Sequence, residues 1–390
     1  MHVLPESFMM FTCAGVWQPV HWSACDSRFL LYKLYTLFSI VLVYTLTISE
    51  LMGAILLTQS LEDFTDISFL LISTISVCCK IASIIARRDR VIHLTEMLLE
   101  VQCIPKNVRE LEITRKFDKI ARFTALSCIV LAEATVVVMS TGPLFQKAEN
   151  RTLPFKSWLP YDSTTTPCTF WLSYVHQTAA IVLCATVNVA NDSLICGFMT
   201  HSCSQLELLN RRLLELPRAV KLKMKKLPRR LMCNVEAMIV SRHVKHHVHI
   251  FKFAENINVI FTPVILVQFC MSSIVLSLSV YQLAVRSANG IQFITMVMYL
   301  TCMLVQFFMY CWFGNEVTLK SVEFGQAIYN IEWTSLQVQT SKDLMIMMIR
   351  AKRPIIMSSG ALVTLSIKSF TSILKASYST FNVLQRSSHN

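Results

Sequence analysis

The chain has 390 residues, 54% of them hydrophobic and 15% charged, with a formal net charge of +12 at pH 7. That balance is too apolar for a water-soluble globular protein of this size, so the principal solvent of the chain is expected to be a lipid bilayer.

A hydrocarbon core about 30 Å thick needs roughly 20 mostly apolar residues per helix, and seven runs of that length follow one another. The opening stretch, 1–33, mixes Pro5, Glu6, Trp17, Pro19 and Asp26 and shows no signal-peptide pattern, so the first span is expected to target the protein. Span one runs from Leu34 to Leu57 with Glu50 as its only charge, and span two from Ile67 to Ala86 with only Lys80. Span three covers Ala121 to Pro143 and span four Trp171 to Met199. Span five, Asn258 to Val285, has no charge and a single internal proline, Pro263. Span six lies within Ile291 to Phe313, and span seven, Pro354 to Leu384, carries Lys368 and Lys375. The predicted fold class is an all-α membrane protein with seven transmembrane helices.

Lys and Arg are retained on the cytoplasmic side of a membrane. Counted by segment, 27 of the 36 fall in 1–33, 87–120, 200–257 and 314–353, against 5 in the alternate segments, and Lys80, Arg122, Lys368 and Lys375 lie in spans. The N-terminus is therefore expected inside and the C-terminus outside, the reverse of a G-protein-coupled receptor. The sequon at Asn150 falls on the expected outside and is the candidate glycosylation site, whereas the one at Asn191 is buried in span four.

Of the 14 cysteines only Cys168 lies in an expected outside loop, so no extracellular disulfide can be drawn within the chain. Cys78 and Cys79 have no second thiol or histidine pair at metal spacing. His243, His246, His247 and His249 cluster on the basic side and read as a pH-sensitive helix face; no metal or other cofactor is predicted. The basic run Lys221 to Arg230, read beside membrane spans, is attracted to anionic membrane lipid rather than to nucleic acid. Phosphate-cradling glycine loops and hydrolase or metalloprotease motifs are missing from the sequence, so an enzyme is the least supported class. Glu50, Lys80, Glu133 and Asp192 are costly in lipid, and each is a candidate for an internal polar contact or a pocket.

The C-terminal third contains Tyr310-Cys-Trp-Phe-Gly-Asn-Glu-Val-Thr-Leu-Lys-Ser321, then Ala327-Ile-Tyr-Asn-Ile-Glu-Trp333, Arg350-Ala-Lys-Arg-Pro354 and a terminal run from Phe370 to Leu384. In this order these segments resemble the C-terminal signature of the insect odorant receptor family, and Trp158-Leu159-Pro160 resembles one of its outer loops. The resemblance implies the topology that the charges give. It also implies a ligand-specific subunit that binds a small volatile odorant and gates a non-selective cation channel, four subunits around one pore, with a shared olfactory co-receptor. Residues 1–33 would be a cytoplasmic N-terminus, 34–313 a ligand-sensing bundle of six helices, 314–353 a cytoplasmic anchor, and 354–390 the pore-lining last helix with a short outer tail. Tyr329 and Trp333, at i and i+4, would pack on one helical face of the anchor. The expected location is the plasma membrane of olfactory neuron dendrites.

Mixed apolar and polar residues at helical spacing in the outer halves of the spans mark the candidate pocket: Ser73 and Ser76, then Glu133, Val137 and Ser140, then Tyr174 and Thr178. Alignment with the family's terminal helix puts Val383, with Leu384 beside it, at a constriction that closes by dewetting. Thr364, Lys368, Thr371, Lys375, Ser379, Asn382 and Arg386 form one polar stripe on that helix, and the lysines are expected to turn from the pore axis towards their own subunit. Two alternatives compete: a gustatory receptor channel of the same topology, and a secondary transporter, which would show internal repeats that this sequence lacks.

Overall fold

The structure is a computed structural model that describes residues 3–19, 27–58, 61–145, 153–161, 166–224, 229–285, 290–360 and 363–389. It is built from α1 (Pro5–Cys13), α2 (Ser27–Leu56), α3 (Leu61–Ala86), α4 (Arg88–Leu98), α5 (Val108–Thr141), α6 (Pro167–Leu214), α7 (Leu216–Met224), α8 (Arg229–Val285), α9 (Gly290–Tyr329), α10 (Val338–Ala351), β1 (Ser358–Ser359), β2 (Val363–Thr364) and α11 (Ile367–His389). Six of these, α2, α3, α5, α6, α8 and α9, are long and apolar enough to cross a membrane. With α11 as the seventh, the chain has a seven-span, nearly all-helical fold.

The hydrophobic runs locate the spans, but the helices overrun them. At about 1.5 Å per residue α6, with 48 residues, is ~72 Å long and α8, with 57, is ~85 Å. Both exceed the bilayer, so the end of α6, the start of α8 and the end of α9 continue past it on the basic side. There they build a second helical assembly with α4 and α10. Burial of Leu206, Leu209, Val240, Phe253, Phe324 and Leu344 explains why these stretches stay helical beyond the lipid.

The entry to α6 is set locally: Thr166 is extended, its hydroxyl accepts from Thr169 N at 3.3 Å, and Pro167 occupies the first turn. Pro263 stays inside α8. A proline removes the bond to the carbonyl four residues back, here Val259, and Arg87 Nη1 donates to Val259 O at 3.3 Å and also to Ile260 O.

The last span differs from its prediction. Residues 354–360 and 363–366 are not helical; Ser358–Ser359 and Val363–Thr364 pair antiparallel, and the helix begins only at Ile367. α9 in turn runs unbroken through residue 313, where a boundary was expected. Gly314 is needed there because a Cβ would stand 2.4 Å from Leu365 Cβ, so the glycine admits the chain that leads into α11. α11 then packs by Phe370 against Phe307 and Phe308, with centroids 5.5 and 5.4 Å away. The expected polar stripe does not turn inwards: Thr364 on β2 and Lys368, Thr371, Lys375 and Ser379 on α11 are all exposed, because Phe370, Ile373 and Ser377 take the inner face.

The expected orientation has a direct test. An epitope tag after Asn390 should be reached by antibody on intact cells and a tag before Met1 only after permeabilisation; labelling of the N-terminal tag alone would reverse the topology.

Candidate functional site

A cavity of about 130 Å³ lies between α3, α5, α6, α8 and α9. Its wall is mainly apolar, with Leu70, Val77, Val136, Ile181 and Val275, and four methionines, Met139, Met271, Met303 and Met309, supply unbranched side chains that can follow ligands of different outline.

The polar groups in this wall form two sets. In the first, Tyr299 and Ser73 share a hydrogen bond of 2.6 Å and both reach Phe69 O, while Ser76 Oγ donates to Gln268 Oε1 at 3.2 Å and Gln268 Nε2 donates to Ser272 Oγ at 2.8 Å. The second set makes the floor nearest the basic side. Lys80 Nζ donates to Asp192 Oδ1 and to Asn188 Oδ1, both at 2.6 Å, Tyr310 Oη donates to Asp192 Oδ1 at 2.6 Å, and Gln306 Nε2 donates to Asp192 Oδ2. Asn188, Asp192 and Gln306 line the cavity, and Lys80 lies behind them, almost wholly buried. An ion pair in hydrocarbon persists only when its remaining hydrogen-bonding capacity is met, and here two amides and a phenol meet it.

Of the residues singled out from sequence, Ser73 and Ser76 line this cavity. The other five are elsewhere. Val137 is 57% exposed on the outer face of α5. Glu133 accepts from Thr186 Oγ1 at 2.8 Å, Tyr174 donates to Ser140 O at 2.9 Å, and Thr178 is placed on α6 away from the lining. Side chains in the outer third of α5 and α6 therefore tie those two helices together. Gln268, Tyr299 and Gln306 were missed. Each is an uncharged polar residue in an apolar run, a weak signal next to the ionisable ones.

Glu50, flagged for its cost in lipid, faces α3 and accepts from Thr74 Oγ1 at 2.7 Å. The histidine cluster is not a solvated face. His246 is buried, with Nε2 2.9 Å from Gln205 Oε1 and Nδ1 3.3 Å from Arg212 Nη1. His247 stacks on Phe324 at 4.8 Å. Outside the membrane, burial first and the nearby Arg212 or Arg350 charge second push the His243 and His247 imidazoles down to about 4, so these two stay neutral across the physiological range. Arg212 in turn binds Glu110 Oε2 at 2.9 Å, Gln102 O at 2.6 Å and Ile104 O at 2.8 Å, pinning the turn before α5 to α6.

The expected helical face shared by Tyr329 and Trp333 does not form. α9 ends at Tyr329, Trp333 opens a short 3-10 turn, and the two meet through Trp333 Nε1 donating to Tyr329 O at 3.0 Å. Val383 and Leu384 are on α11 with side chains outside the described residues, and Asn150 lies outside them altogether.

Comparison with known proteins places this arrangement. A family profile described as 7tm Odorant receptor matches residues 60–378. Odorant receptor 13a of Drosophila melanogaster is 23% identical over 295 residues, 72% of this chain and 69% of that protein. Odorant receptor 94a of the same fly is 24% identical over 335 residues, 84% and 82% of the two chains. The structure of the olfactory receptor OR5 from Machilis hrabei in complex with eugenol superposes with a TM-score of 0.84 at 17% identity, covering 98% of this chain and 97% of that one, a likeness of fold.

Proposed function

Since the chain belongs to the 7tm odorant receptor family, a family of receptors and not of enzymes, we propose that it is a ligand-specific odorant receptor subunit that gates a non-selective cation channel together with a shared co-receptor. The observation that carries this reading is the cavity between the spans, mostly apolar with a few fixed polar groups, as a small volatile molecule requires. Its 130 Å³ is close to the roughly 150 Å³ that accommodates benzene in an engineered protein cavity, so the ligand expected is about the size of one ring. The Machilis hrabei receptor of the same fold is seen in complex with eugenol.

Two further features support assembly. Val322, Tyr329, Val338, Ile346 and Ile349 are exposed on the part of α9 and α10 beyond the bilayer, a cluster that suits a subunit contact. The exposed polar stripe of α11 faces away from the subunit's own packing, and Val383 is assigned to the dewetting constriction. A plasma-membrane location in olfactory dendrites follows from this role.

Whole-cell recording with a panel of single-ring volatiles tests it. Ligand-evoked cation current is expected when the co-receptor is present and at most a trace without it. Uptake of a ligand without current would favour a transporter, and current to sugars or bitter compounds but to no volatile would favour a gustatory channel.

A further inference from the structure

A second recess lies at the basic-side end of α2 and α3, well away from the cavity. It is an open groove of about 340 Å³ lined by Val16, Gln18, Lys33, Thr36, Leu37, Ile40, Ile85 and Arg88. Its polar groups are mainly donors without acceptors. Arg88 Nη2 donates to Gln18 O at 2.8 Å and its guanidinium lies 5.4 Å from the Trp17 ring, yet Arg88 Nε is buried with no acceptor, and so is Gln18 Nε2. Lys33 is exposed, its ammonium 4.5 Å from the Phe29 ring centre, and neither Lys33 nor Arg88 has a carboxylate partner among the described residues. Thr36 spends its hydroxyl on Tyr32 O. Buried donors left unpaired are costly, and an unpaired amide donor of Gln18 beside two cations, one of which, Arg88, has an unpaired donor of its own, calls for an acceptor with negative charge.

The groove is also ordered in depth. Lys33 and Arg88 are at the membrane interface, where α2 enters the bilayer and α3 leaves it. Leu37, Ile40 and Ile85 lie deeper, since Ile40 is seven residues, about 10 Å, further along α2 than Lys33. A free anion would use only the upper part. An anionic phospholipid would use both, and anionic lipids are concentrated in the cytoplasmic leaflet, the side to which the chain's basic segments are assigned. We propose that this groove holds the head-group phosphate of one anionic phospholipid, bound by the side chains of Lys33, Arg88 and Gln18, with the start of an acyl chain lying along Leu37, Ile40 and Ile85.

The lipid thereby fastens α1, through Gln18 and the Arg88–Trp17 contact, to the first two spans. The test uses the full chain in nanodiscs of phosphatidylcholine with or without phosphatidylserine or phosphatidylinositol, read by native mass spectrometry for retained lipid and by thermal unfolding. One anionic phospholipid per chain should be retained in preference to phosphatidylcholine, and it should raise the unfolding temperature. Lys33→Gln should lower retention about fivefold, one basic side chain's share of attraction at an anionic surface, and Gln18→Ala should lower it by a smaller factor. Inorganic phosphate and glycerophosphoinositol form the soluble arm and should neither displace the lipid nor stabilise the protein. Equal retention of phosphatidylcholine, unchanged retention in both variants, or equal protection by inorganic phosphate would each overturn the proposal.

Discussion

Lys80→Met is expected to remove most of the folded protein from the cell surface, whereas Lys80→Met combined with Asp192→Asn is expected to restore a large part of it. Lys80 Nζ lies 2.6 Å from Asp192 Oδ1 in the middle of the bundle, and the two side chains are 1% and 5% exposed. Removing the ammonium leaves the carboxylate buried with only Tyr310 and Gln306 as donors. Breaking one half of a buried pair costs about 3–5 kcal/mol, a large share of the roughly 5–15 kcal/mol that holds a domain folded. The double variant has no charge to desolvate: the asparagine oxygen at 192 still accepts from Tyr310, and its NH2, in place of the oxygen that faced Gln306, can donate to Gln306 Oε1 once that amide turns over. Surface biotinylation and thermal unfolding of the two variants in parallel decide the point. A single variant as abundant and stable as wild type, or a double variant no better than the single, would mean that the pair is not what holds α3, α6 and α9 together.

The same pair shows how much of the site could be read from sequence. Lys80 and Asp192 each stood out as a charge in an apolar run, because the cost of a charge in lipid is large enough to see one residue at a time. That they meet depends on the relative depth and rotation of two helices distant in sequence, which no local pattern contains. The spans themselves were legible for the opposite reason: their length is set by the bilayer and written in consecutive residues. Where packing takes over from lipid, legibility ended. The long extensions of α6 and α8 are stabilised by helix neighbours, and the paired strands Ser358–Ser359 and Val363–Thr364 interrupt an apolar run that satisfies the length rule for a span. Val137 lies outside the cavity lining on similar grounds. An apolar side chain near the outer end of α5 suits lipid as well as a ligand, and only the rotation of α5 against α6 and α9 chooses lipid.

That contrast between inner and outer faces supplies the second large effect. Ala132 on α5 and Ala185 on α6 both line the cavity, where small side chains leave room. Changing either to Phe places a ring in a space of about 130 Å³, similar to the space in which another protein accommodates a whole benzene molecule. Overpacking costs about 1–3 kcal/mol, which the long α6 interface can absorb without loss of the fold, and the ligand must then compete with a covalently attached occupant. Ala132→Phe and Ala185→Phe should therefore raise the ligand concentration for half-maximal current at least tenfold, about 1.4 kcal/mol of binding, at surface levels within twofold of wild type. Met271→Ala works in the other direction: by enlarging the wall it should shift preference towards bulkier volatiles, at some cost in stability from the void. Val137→Phe is the control, since its side chain is 57% exposed on the far face of α5 and should leave the ligand ranking unchanged. If Val137→Phe altered the response as strongly as Ala185→Phe, or if both cavity-filling variants responded like wild type, the ligand would bind outside this cavity, against the lipid-facing surface of the bundle.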